Sequence, residues 1–157
     1  MKHPIFSVTG KDYRQIAPLF LRLVIGFAFM AHGWAKLSRG PEHFAQLLTL
    51  LHVPMPQIMA WLSVIIELLG GFTLFIGLFT GLSAVPLIFT MLVAMFTIHI
   101  HYGYSAVNTI GLTPHGPLFG PPGYEINLVY IAGLLVLIFS GAGKFSVDAA
   151  IAARKVQ

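Results

Sequence analysis

Residues 58–79 read IMAWLSVIIELLGGFTLFIGLF, an unbroken apolar run with one ionisable side chain, Glu67, near its centre. A helix of about 20 such residues, rising 1.5 Å per residue, crosses a hydrocarbon core of about 30 Å. A carboxyl group at that depth must pair, protonate or meet water, because lipid offers it no partner. Three further runs have the same character, at residues 16–35, 82–100 and 125–142. Arg22 lies inside the first, while His32, Lys36, His99 and Glu125 lie near the ends of spans. Charged residues make up only 9% of the chain and the mean hydropathy is +0.84, so a soluble domain of this length could not bury its apolar surface. The sequence predicts an all-α protein, a four-helix antiparallel transmembrane bundle set in a lipid bilayer.

Loop charges set its orientation. Lys2, Lys11 and Arg14 precede the first span and Lys144, Arg154 and Lys155 follow the last, whereas Lys36 and Arg39 alone occupy the opposite side. The basic side faces the cytoplasm, which predicts cytoplasmic N and C termini. The first run ends in His32-Gly33-Trp34-Ala35-Lys36 rather than at a small-residue cleavage site, so it reads as a retained helix. The chain thus divides into a cytoplasmic segment 1–15, a membrane domain 16–148 and a cytoplasmic tail 149–157. Its net charge of +4 flanks the spans and does not form a nucleic-acid stripe. Cysteine is absent, which removes thiolate nucleophiles, disulfide exchange, Cys-ligated iron–sulfur clusters and covalent c-type haem.

Periodicity then places the polar groups. Arg22, Gly26, Phe29, Gly33 and Lys36 recur at spacings of three and four, so they share a face that the two glycines turn toward the bundle. Pro41 opens a short amphipathic helix, which Val53-Pro54-Met55-Pro56 ends. Gly77 to Gly81 is a tight turn joining the second and third spans. His99 closes the third span, and its neighbour His101 should point elsewhere. Residues 102–124 are rich in glycine, proline and tyrosine and read as an irregular lid.

Two constellations carry the chemistry. Arg22 and Glu67 form a candidate intramembrane ion pair, with snorkelling of Arg22 to the headgroups as the alternative. His32, Lys36, His99 and Glu125 come to one depth and form a candidate ligand-binding pocket at the outer leaflet; the alternative is unrelated interfacial residues. No catalytic residue is assigned. Bis-His ligation of a b-type haem is disfavoured, because one ligand lies almost at the interface. No metal site is predicted, since no tight ligand spacing such as HExxH occurs.

Leu21-Arg22-Leu23, Gly26 and His32-Gly33-Trp34-Ala35-Lys36-Leu37 resemble the first helix of the DoxX family of bacterial integral membrane proteins. Glu67-Leu68-Leu69-Gly70-Gly71, Gly77-Leu78-Phe79-Thr80, His99, Glu125 and Gly141-Ala142-Gly143-Lys144-Phe145-Ser146-Val147-Asp148 continue the resemblance over residues 16–148. It implies a four-helix protein of the bacterial inner membrane. Some relatives are subunits of quinone-linked oxidoreductases and others belong to oxidative-stress complexes. The leading expectation is therefore a membrane subunit of a redox system, accessory rather than catalytic, that binds a quinone-like or other small apolar ligand and works with a redox partner protein. A small transporter or channel for a metabolite, proton or metal is the second expectation, and a membrane scaffold or assembly factor the third. Homo-oligomerisation is left open.

Overall fold

A computed structural model of the chain describes residues 11–154, with side chains described from Gln15 onward. Most of the expected N-terminal segment and the last three residues lie outside the described residues. The elements are α1 (Lys11–Arg39), α2 (Pro41–Leu50), α3 (Pro56–Ile65), a π-helical turn (Ile66–Gly70) and α4 (Gly71–Ile76), followed by α5 (Thr80–Thr97), α6 (Glu125–Ser140) and α7 (Val147–Arg154). α3, the π turn and α4 form one rod, Pro56–Ile76. Among the described residues three helices are long and apolar enough to cross a membrane: Gln15–Arg39, Pro56–Ile76 and Thr80–Thr97. The fourth apolar helix, Glu125–Ser140, is shorter. Its 16 residues span about 24 Å.

Glycine sets the distance between the first two long helices. A Cβ on Gly26 would stand 2.7 Å from the Gly71 carbonyl oxygen, and one on Gly71 would stand 2.8 Å from that of Gly26. Real Cβ atoms do not come so close, so the backbones touch only because neither residue carries one. Further along, a Cβ on Gly33 would meet Leu68 Cγ at 2.9 Å and Glu67 Cβ at 3.1 Å. Residue 26 thus lies beside 71 and residue 33 beside 67–68, which is an antiparallel register. α6 packs on α1 through an edge-to-face pair, Phe29 and Tyr130, with ring centroids 5.6 Å apart. The buried centre is Ile25, Phe29, Leu74, Ala84, Leu87, Leu134 and Leu137. The exterior is apolar as well: Leu82 is 74% and Phe139 85% exposed. Such a surface belongs in lipid.

The helix ends have defined causes. Gly77 has φ +72° and closes the rod as a Schellman cap, with Gly77 N donating to Leu74 O at 3.1 Å and Leu78 N to Thr73 O at 2.8 Å. The start of α5 is capped from a distance, since the Asp148 carboxylate accepts from Phe79 N at 2.8 Å and Thr80 N at 3.1 Å. The amphipathic α2 has proline at its start and buries Ala45 and Leu48 against Ala60 of α3.

The lid expectation is corrected in one respect. Residues 102–124 contain an antiparallel hairpin, β1 (Thr109–Thr113) and β2 (Gly116–Phe119), with Thr113 opposite Gly116 and an irregularity between Thr109 and Gly111. The Pro114-His115 turn is followed by Gly116 at φ +124°, a conformation that suits glycine. The hairpin's ladder satisfies backbone groups that an irregular loop would leave to water.

Candidate functional site

Glu67 is 3% exposed and lies within the π turn. Wider turns of this kind occur often at functional sites. Its partner is not Arg22. Lys36 Nζ donates to Glu67 Oε1 at 2.6 Å and to Ser63 Oγ at 2.9 Å. The ammonium also stands over the Phe44 ring, 4.4 Å from its centroid. Glu67 Oε2 is buried with no hydrogen-bond partner among the described residues. Arg22 Nε, Thr80 Oγ1 and Asn127 Oδ1 are also buried without a partner among the described residues, but Glu67 Oε2 is the one that belongs to a carboxylate, where a missing donor is costliest.

The expected Arg22–Glu67 pair is therefore replaced by two separate arrangements. Arg22, 2% exposed, donates through Nη1 to Phe75 O at 2.6 Å and through Nη2 to Phe145 O. The register explains the difference: Arg22 lies beside Phe75, eight residues past Glu67, or about 12 Å along the helix. Lys36 lies on the other side of Gly33 and reaches back to the carboxylate. Arg22 instead ties the end of α4 to the residues leading into α7, where Asp148 N also donates to Gly77 O at 2.9 Å.

The Lys36–Glu67 pair forms the polar end of a cavity of about 280 Å³ between α1, α2, α3 and α5. Its walls are mainly apolar, with Leu48, Met59, Ile66 and Val93 among them, and Ser63, Thr90 and Thr97 add hydroxyls. Leu62 and Phe89 line it while 44% and 64% exposed, so it borders the lipid-facing surface. A second, shallower cleft lies against it on the α2 side, lined by His32, Ala35, Lys36, Arg39, Gly40, His43, Phe44 and Leu47.

The structure does not bring His32, Lys36, His99 and Glu125 into one cavity. Lys36 lines both spaces, but His32 is exposed and lines only the shallow cleft. His99 Nδ1 is 2.8 Å from Pro122 O, and Glu125 Oε2 accepts from Ala106 N at 2.8 Å. These two residues anchor the hairpin segment to the helix ends, each through a backbone partner of its own. His101 is exposed, as expected of a residue turned away from the bundle. Ser63, one turn before Glu67, joins the site as well, and its i, i+4 spacing to Glu67 is the sequence signal that marks it. Among the described residues no group of three or more His, Asp or Glu side chains is placed to hold a metal ion.

An apolar exterior and three helices long enough to cross a membrane, packed around the Lys36–Glu67 pair, define a small polytopic membrane protein. The chain belongs to the DoxX family, which residues 17–100 match. It is 30% identical over 140 residues to an uncharacterized protein of Haemophilus influenzae, covering 87% of this chain and 83% of that one. It is 27% identical to an uncharacterized membrane protein of Mycobacterium tuberculosis, covering 85% and 80%. A shorter match, 33% identical over 55% of this chain and 62% of the other, is to the Bacillus subtilis protein named "Putative oxidoreductase CatD". No solved structure matches the chain significantly.

Proposed function

We propose that the protein is an integral subunit of a redox system in the bacterial inner membrane, and that it binds the head of a quinone-like ligand in the Lys36–Glu67 cavity. The observation that carries this is the orphaned, buried Glu67 Oε2 beside a lysine at the polar end of an apolar space. Lys36 Nζ has three donors, of which Glu67 and Ser63 take two, leaving one for a ligand carbonyl. Glu67 Oε2 accepts a ligand hydroxyl. A space of about 280 Å³ is at the small end for ligand sites, so it suits a single ring whose tail leaves between Leu62 and Phe89 into lipid. The oxidoreductase name of the Bacillus relative agrees with a redox setting. Electrons pass to or from a partner protein, and the subunit itself positions the ligand.

Binding of decylubiquinone to the purified protein tests this, followed by competition with a photoreactive quinone. Glu67→Leu is expected to weaken binding by about tenfold or more, the loss of one buried hydrogen bond, while His99→Ala leaves it unchanged. Equal binding by wild type and Glu67→Leu would reject the site. Solute flux in proteoliposomes without quinone binding would favour the transporter instead.

We further propose four spans, with α6 as the fourth, and both termini in the cytoplasm. The chain has no cysteine, so Asn108→Cys provides a single label site. An impermeant thiol reagent is expected to label it in intact cells. Labelling that requires permeabilisation would reverse the orientation.

A further inference from the structure

The cavity and the cleft share two residues, Lys36 and Phe44. Phe44 is apolar, so Lys36 is the polar side chain common to both. Its side chain is 24% exposed while that of Glu67 is 4% exposed. Lys36 thus reaches the cleft at one end of a 2.6 Å contact whose other end, Glu67, is buried. On the α7 side of Glu67 the way is closed, because Gly26 and Gly71 are in backbone contact there and Phe29, Leu74 and Leu87 are at most 1% exposed.

We infer that Glu67 exchanges protons with one face of the membrane only, the face bearing α2, and that Lys36 is the relay. The groups around this route are few. α1 contributes Lys36, His32 and Arg39, α2 contributes His43, and α3 contributes the Ser63 hydroxyl. α5 brings only Thr90 and Thr97 as polar lining and no ionisable group. Glu42 completes the charges at the start of α2. In the transfer, the Lys36 ammonium releases one proton to cleft water or to a neutral imidazole of His32 or His43. The resulting amine then takes the proton from the Glu67 carboxyl, which restores the ion pair. One N–H and one O–H bond break, two new bonds to hydrogen form, and no electrons move. The route depends on the proposed ligand only for the source of a proton under working conditions. A ligand hydroxyl that deprotonates against Glu67 Oε2 would thus deliver its proton to the α2 face.

The test needs no ligand. Protein reconstituted in one orientation is subjected to a pH step on one side, and the carboxyl infrared band of Glu67, identified by its absence in Glu67→Gln, is followed in time. A step on the α2 side is expected to titrate Glu67 rapidly, and a step on the α7 side to do so at least about tenfold more slowly. Lys36→Arg separates relay from structure. Arginine keeps the charge and pairs with a carboxylate but does not deprotonate in proteins, so the α2-side response should slow by about a hundredfold or more, the lower end of general acid–base contributions. Equal rates from the two sides, or an unslowed Lys36→Arg variant, would overturn the inference. Lack of quinone binding would not affect this readout, so the two proposals fail separately.

Discussion

Lys36→Met is expected to destabilise the protein by about 3 kcal/mol. Removing one partner of a buried ion pair costs roughly 3–5 kcal/mol, because the other charge stays buried without compensation. The lower end applies here because the Lys36 side chain is 24% exposed and Glu67 keeps a long contact, 3.4 Å, from the Ser63 hydroxyl. Methionine matches the length of the lysine stem and preserves packing against Phe44, so the loss reports charge rather than volume. The double variant Lys36→Met/Glu67→Met should recover most of it, since two apolar side chains replace two ions that both had to be desolvated. Thermal inactivation in detergent or denaturant titration in bicelles measures both. A double variant no more stable than the single one would show that the pair is not coupled.

The elements of the fold were legible because lipid restricts the choices so strongly. A long apolar run in a chain with 9% charged residues has one stable form, the helix. The stripe of Arg22, Gly26, Phe29, Gly33 and Lys36 does face the bundle, and both glycines mark close approaches. α6 begins at Glu125 and ends at Ser140, where the sequence placed the fourth helix. The hairpin was harder to see. Ile110 and Leu112 alternate with Gly111 in strand fashion, but the surrounding glycines and prolines dominate the local signal. Partner choice was not legible at all. Whether Glu67 meets Arg22 or Lys36 depends on helix register, and register was fixed by the Gly26–Gly71 contact and the π turn. Neither leaves a periodic trace in one sequence. Span ends predict a common depth for His32, His99 and Glu125, but they carry no information on azimuth around the bundle, which decides what each residue faces.

Arg22→Leu should be the other severe substitution, for reasons independent of Glu67. Arg22, 2% exposed, supplies hydrogens to the Phe75 and Phe145 carbonyls through part-buried bonds. Leucine leaves two part-buried acceptors short of a donor, each at the lower end of the about 1–3 kcal/mol that an unsatisfied group costs, for an expected loss of roughly 2–3 kcal/mol. Arg22→Lys should rescue only in part, because a single ammonium lacks the forked geometry that serves two carbonyls. The damage should appear first at the tail. Phe145 precedes the segment through which Asp148 caps α5, and Lys144 N donates to Gln15 O at 3.1 Å, so loosening the tail frees the backbone at the exposed Lys144 for cleavage by trypsin. A double-mutant cycle with Glu67 decides between the two partner assignments. Sites about 12 Å apart along the helix add within about 0.3–0.5 kcal/mol, so Arg22→Leu and Glu67→Leu should be additive, whereas Lys36→Met and Glu67→Leu should be strongly coupled. A coupling energy above about 1 kcal/mol between Arg22 and Glu67 would mean that they interact directly, and the Lys36 pairing would then have to be abandoned.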